Sequence, residues 1–186
     1  EAKIKDLKYD FVGTKRSVNS IVSATKILLK NNSIDYIFTD PPFGSNIMYS
    51  ELNFLSESWL KVYTNNKTEA IESKAQNKSI LNYQNLMTDC FKEYYRVLKP
   101  GQWMTVEFSN TSAAVWNGIQ TAIQRAGFII SAVSGINKGR GGMQAIIGVV
   151  AVNQDLAITC YKPSEDFENN FRQDSLDINI WKFVQE

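Results

Sequence analysis

Apolar residues along this chain fall in short runs whose period changes repeatedly. "DYIFTD" (35–40) is an apolar run of aromatic and β-branched residues and predicts a buried strand. "YDFVGT" (9–14) and "NSIVSAT" (19–25) predict shorter strands, and "KNNSID" (30–35) a turn. In "SELNFLSESWLKVY" (50–63), Leu52, Leu55, Trp59, Leu60 and Val62 fall near helical spacing, with Ser50 as N-cap and Trp59 expected in the core. "TNNKTEAIESKAQNKSI" (64–80) shows no apolar face and reads as a mobile connection, helical at most in part. The clearest helix is 82–98, where Leu86, Met87, Cys90, Phe91, Tyr94 and Leu98 form one stripe, with Tyr94 and Tyr95 as packing residues. "KPG" (99–101) stops it, and "QWMTVEFSN" (102–110) alternates as a strand does. A helix over 111–127 follows, capped by Thr111 or Ser112 and closed by Gly127. Strands at 128–136 and 156–162 flank a basic glycine loop at 137–142 and a further apolar run at 144–152. A last helix is expected at 176–184. Strands alternating with helices predict an α/β fold with a mainly parallel sheet.

Composition narrows the chemistry. The 186 residues suit one domain, and 44% hydrophobic content supplies a core. Twenty basic and 19 acidic residues leave a net charge of +1, which neither demands nor excludes a nucleic-acid partner. There is no histidine, which removes imidazole bases and histidine metal sites; no metal is expected. Two distant cysteines, Cys90 and Cys160, suit free thiols in a cytoplasmic protein. No apolar run reaches the roughly 18 residues of a membrane span. A chain beginning at Glu1 reads as a piece of a longer protein.

The sharpest local feature is "TDPPFGSN" (39–46), which follows the 35–40 strand directly. In open α/β sheets, ligands bind outside the carboxyl ends of strands. An exocyclic amino group on a base is a poor nucleophile, because its lone pair is delocalised into the ring. A protein that alkylates it must accept its two N–H bonds and turn the lone pair toward the electrophile. The Asp40 carboxylate and the Pro41 carbonyl are two such acceptors. The rings of Pro41 and Pro42 fix φ and so restrict the carbonyl's direction. Phe43 offers a flat face to an extruded base. The same four residues also fit a strand-ending turn with Phe43 in the core, so the tetrapeptide alone does not decide.

The surrounding sequence resembles the S-adenosylmethionine-dependent amino-DNA methyltransferases with an Asp-Pro-Pro-aromatic motif. "NSIDYIFTDPPFGSNIMYSELNFLSESWL" (32–60) and "YRVLKPGQWMTVEFSN" (95–110) carry the resemblance, which covers most of residues 20–162. It implies a partial Rossmann-like methyltransferase sheet, mainly parallel with a C-terminal antiparallel hairpin. It also implies a catalytic, target-base half over 1–163, with 164–186 as a tail or the start of a following segment. The implied reaction moves a methyl group from S-adenosylmethionine to adenine N6, or less readily cytosine N4, in DNA restriction-modification or defence. Asp40, Pro41, Pro42 and Phe43 then form the catalytic set. Ser23 and Thr25, with Asp40, are cofactor candidates, although family members often carry an acidic residue where "SAT" (23–25) stands. Asn46, Tyr49, Lys138 and Arg140 are candidates for nucleic-acid contact. Ser50, Glu51, Asn53, Glu107 and Asn110 are further pocket candidates, with Glu107 set either toward the pocket or at the sheet edge. The glycine-rich turn and ribose-binding acid of a complete enzyme are not visible in the sequence. RNA amino-methylation and a non-catalytic nucleic-acid-binding module are the competing readings.

Overall fold

A computed structural model describes residues 22–45, 47–109, 112–137 and 154–164. Its elements are β1 (Ile34–Thr39), α1 (Tyr49–Leu60), a 3-10 turn (Asn66–Thr68), α2 (Ile80–Val97), β2 (Leu98–Phe108), α3 (Ala113–Arg125), β3 (Ile129–Asn137) and β4 (Gln154–Tyr161). The expected strands at 9–14 and 144–152, the helix at 176–184 and most of the loop at 137–142 lie outside the described residues.

The sheet order is β1-β2-β4-β3. β1 and β2 are parallel, while β4 runs antiparallel to both β2 and β3. Three strands therefore point one way, and β4 slots between two of them in reverse. The described sheet is thus a mixed α/β sheet, with one parallel and two antiparallel pairings, and it carries the expected antiparallel pair on its C-terminal side. Alternation along β2 sends Met104, Val106 and Phe108 to one face, where they are fully buried with Tyr83, Phe91 and Ile119 of the helices. Glu107 points to the opposite face and pairs with Ala157. β2 has a neighbour on each side, so Glu107 sits at no sheet edge.

α2 starts where it does because Ser79 and Asn82 form a reciprocal capping box, each side chain accepting from the other's backbone N–H. Its apolar stripe packs inward, and Tyr94 and Tyr95 pack against the core as expected. At the end of α3, Gly127 takes φ +102°, and a Cβ there would meet the Tyr95 ring at 3.1 Å. The "KPG" break lies inside β2 rather than before it. Ile34 pairs with Leu98 and Tyr36 with Trp103, so residues 99–102 bulge from the ladder.

Several expectations are corrected. β1 is an edge strand of the described sheet rather than a buried one: none of its residues is buried, and Tyr36 and Phe38 are exposed. Residues 22–25 form a turn, not the end of a strand: the Lys26 N–H bonds to the Ser23 carbonyl at 3.0 Å. Short hydroxyl side chains compete for local backbone groups, which is why "SAT" turns. α1 forms, but none of its residues is buried, and Trp59 is 85% exposed rather than in the core. Met48, not Ser50, occupies its N-cap. Segment 64–80 is tied down rather than a free connection. Ile71 is fully buried and bridges to Gly44, and Ser73 bridges to Lys78. Among the described residues, no helix is long and apolar enough to cross a membrane.

Lys162 closes the fold on the side away from the motif. Its buried ammonium donates to the carbonyls of Tyr95 and Leu98, each at 2.6 Å, and to Asn32 Oδ1 at 2.8 Å. The two carbonyls are orphan acceptors at the end of α2, where a cation is favoured. Lys162→Met keeps the stem and leaves those carbonyls unpaired. It should lower unfolding stability by about 2 kcal/mol in urea titrations.

Candidate active site

β1 ends at Thr39 because neither Pro41 nor Pro42 has an N–H for the ladder. Asp40 stands just beyond the carboxyl end of β1, exposed, with Pro41 buried beside it. The Tyr83 hydroxyl donates to the Pro42 carbonyl at 2.6 Å. Gly44 adopts φ +79°, which a glycine tolerates at no steric cost, and its carbonyl accepts from the Glu72 N–H at 3.4 Å. The Pro42 and Gly44 carbonyls are thus engaged within the protein. Among the described residues, no hydrogen bond is made to the Asp40 carboxylate or the Pro41 carbonyl. Phe43 is half-buried, its ring at right angles to that of Phe108 with 5.4 Å between centroids. Phe108 ends β2, so the loop spans the carboxyl ends of two adjacent parallel strands.

A cavity of about 360 Å³ opens beside this loop and brings Ser23 and Thr25 together with Asp40, Pro41 and Pro42. Leu86 and Met87 of α2 supply apolar wall. Cys90 and Tyr94 of the same helix line it as well. Ser23 and Thr25 bond to each other through their hydroxyls at 2.8 Å. The segment behind them is fastened to α2 by one guanidinium. Arg96 donates to the carbonyls of Ile27 and Leu29 and to Asn31 Oδ1, at 2.7, 2.8 and 2.7 Å. Glu93 orients that guanidinium through both of its oxygens and also accepts the Ile27 N–H.

The family model described as DNA methylase matches residues 34–182, more than half of the chain. The chain belongs to the DNA methylase family. No curated protein matches it. Among solved structures, a candidate DNA modification methylase of Thermus thermophilus is 13% identical, with 77% of this chain and 53% of that one covered, at a TM-score of 0.47. A Methanosarcina mazei S-adenosylmethionine-dependent methyltransferase is 11% identical over 78% of this chain and 67% of that one, at 0.43. The M1.HpyAVI complex with S-adenosylmethionine is 16% identical over 73% and 46%, at 0.36. The chain spans about half the length of the Thermus protein it matches, 47% or 53% in two of its structures.

In this DNA methylase chain, the loop after the motif is braced by the segment that looked featureless in sequence. The Glu69 carboxylate accepts from the Ser50 N–H at 3.0 Å and from its hydroxyl at 2.6 Å, at the N-terminus of α1. Burial works to raise the Glu69 carboxyl, but the Ser50 bonds, the Gln76 bond and the Lys78 charge together hold it below the usual range. Lys78 in turn donates to the carbonyls of Glu69, at 2.8 Å, and Asn66. Tyr49, the first residue of α1, stands within the field of Asp40. Burial first, then the Asp40 and Glu69 charges, push its phenol up. Ser50 is therefore a brace on Glu69, while Glu51 and Asn53 are exposed on α1. Asn46, Asn110, Lys138 and Arg140 lie outside the described residues, and Glu107 does not line the cavity.

Sequence reasoning missed Tyr83, Glu69, Ile71 and the Glu93–Arg96 pair. Only Tyr83 left a usable signal, being four residues before Met87 and seven before Cys90 on the apolar stripe of α2.

Glu93 carries a measurable consequence. Hydrogen bonds from Arg96, opposed by burial and aided by the Ile27 N–H and the Arg96 charge, hold its carboxyl down at about 2, against an ordinary 4.5. A carboxyl depressed in the fold contributes stability above its unfolded value and loses it as pH falls. Unfolding free energy should therefore decline from pH 4.5 toward about 2. Glu93→Gln should flatten that part of the profile in denaturant titrations at stepped pH.

Proposed function

We propose that this chain is the target-base half of an amino-DNA methyltransferase, using S-adenosylmethionine and acting on adenine N6 in preference to cytosine N4. The half runs over residues 1–163, and the setting is restriction-modification or defence. The observation that carries the reading is the loop 40–44. Its Pro42 and Gly44 carbonyls are occupied by Tyr83 and Glu72, which leaves the Asp40 carboxylate and the Pro41 carbonyl as adjacent acceptors. Two acceptors side by side match the two N–H bonds of an exocyclic amine. Once both bonds are made, the nitrogen lone pair is drawn out of ring conjugation and held in one direction. The carboxylate side chain also receives the proton that the nitrogen sheds on alkylation. Phe43 stacks on the extruded base, with the Phe108 ring packed at right angles to its own. The preference for adenine rests on the resemblance of the Asp-led motif.

The residues lining the cavity fit one side of S-adenosylmethionine. The Ser23 and Thr25 hydroxyls and the Asp40 carboxylate offer polar partners, and Leu86 and Met87 an apolar wall. When bound, that cofactor supplies an electrophilic methyl group. Ser23, Thr25 and Asp40 are the residues that would hold it here. Neither cysteine suits a covalent attack on a ring carbon. Burial first, then Asp89, raises the Cys90 thiol to about 11, and burial raises that of Cys160 to about 12. Direct transfer to an amino nitrogen needs no thiolate. Tyr49, beside Asp40, is assigned to the nucleic acid, together with Asn46, Lys138 and Arg140.

The full-length protein should incorporate labelled methyl groups into duplex DNA and not into total RNA. Asp40→Ala should cut that rate by at least about a hundredfold while the fold persists. Transfer to RNA alone, or parental activity in Asp40→Ala, would overturn the reading. Phe43→Tyr should keep most of the activity. Phe43→Leu, which retains apolar packing on Phe108, should lose stacking worth about 1–3 kcal/mol. Equal stability of the two variants, checked by thermal unfolding, separates stacking from core packing.

A further inference from the structure

We infer that Tyr83 is a positioning residue for the proposed methyl transfer: through the Pro42 carbonyl, its buried hydroxyl sets the direction of the neighbouring Pro41 carbonyl. This rests on the amine-acceptor reading of the site. The constraint begins with the prolines. Neither offers an N–H, so the stretch is anchored through its carbonyls and rings alone. Tyr83 supplies the anchor at 2.6 Å, and its ring is fully buried in the core cluster. It lies in the first turn of α2, directly after the Ser79–Asn82 capping box, which fixes the backbone that carries it. Burial raises its phenol far above the ordinary value.

The geometry of the anchor follows from covalent structure. The Pro41 carbonyl belongs to the peptide unit between residues 41 and 42, and the Pro42 carbonyl to the next. Two torsions at Pro42 separate these planes. Its φ is locked by the ring near −65°, so ψ is the only soft one. Fixing the Pro42 carbonyl against Tyr83 restricts that ψ and aims the Pro41 carbonyl. Removing the hydroxyl leaves a carbonyl without its donor and lets ψ turn to satisfy it elsewhere. The Pro41 carbonyl turns with it.

Tyr83→Phe keeps the ring and deletes the donor. In the full-length protein, kcat for methyl transfer to DNA should fall about tenfold, with KM for DNA and for S-adenosylmethionine within about twofold of the parent. A variant with parental kcat overturns the inference, and so does one whose kcat and both KM values change together with a large fall in melting temperature. A second measurement does not depend on activity. The chain has one Pro-Pro bond, at 41–42, and one Pro-Phe bond, at 42–43. Carbonyl-carbon-labelled proline combined with nitrogen-labelled proline or phenylalanine therefore marks each carbonyl singly in a carbon-detected NMR spectrum. In Tyr83→Phe both carbonyl resonances should move. A shift at Pro42 alone, with Pro41 unmoved, would show that Tyr83 does not aim the acceptor. If the parental protein methylates no nucleic acid, the functional reading fails. The NMR result then still decides the role of Tyr83.

Discussion

Two consecutive prolines at the end of β1 set the terms for everything around them. They end the ladder, and they leave a stretch with no backbone donor of its own. Such a stretch is held only by groups that reach its carbonyls or pack on its rings. The fold meets this with α2 and the segment before it. Tyr83 takes the Pro42 carbonyl, Glu72 takes the Gly44 carbonyl, and Ile71 bridges to Gly44 from a fully buried position. The same helix reaches the other side of the cavity through Arg96, which gathers the backbone of residues 27–31 beneath Ser23 and Thr25. α2 is thus the scaffold on which both walls of the site are mounted. Its own position is fixed by the capping box at one end and by Lys162 at the other.

The site divides between rigid and exposed parts. The loop 40–44 is anchored through the Pro42 and Gly44 carbonyls, yet Asp40 is exposed and α1 buries no residue. That combination suits a site in which the acceptors must be preoriented while the substrate, a base on a long polymer, arrives from outside. Burial raises both thiols well above their ordinary value. Membership of the DNA methylase family is consistent with that division.

Much of the scaffold was legible in the amino-acid order. Apolar runs, the alternation in β2 and helical spacing in α2 marked β1, α2, β2, α3, β3 and β4 to within a few residues. The apolar run of β1 suggested a buried strand, yet β1 is an edge strand of the described sheet: only Ile34 and Ile37 pack against the core, while Tyr36 and Phe38 are exposed. The strand end before the motif was legible too: β1 stops at Thr39, directly before Asp40 and the two prolines. What failed was structure held by long-range polar contacts. Segment 64–80 has no periodicity, yet Glu69 and Lys78 fasten it through bonds to Ser50 and to backbone carbonyls. Helical spacing of Leu52, Leu55 and Trp59 signalled α1 correctly, but periodicity reports an apolar face and not what covers it. In "SAT", local hydroxyl bonding overrode a strand pattern.

The central claim is that the loop presents acceptors for an exocyclic amine. It is tested most directly by the chemical position of the methyl group. Unmethylated duplex DNA would be incubated with the full-length protein and S-adenosylmethionine, digested to nucleosides and resolved by mass spectrometry. The account predicts methylation on an exocyclic nitrogen, as N6-methyladenine. Methylation of cytosine at ring carbon 5, or DNA left with no methylated base, would contradict it.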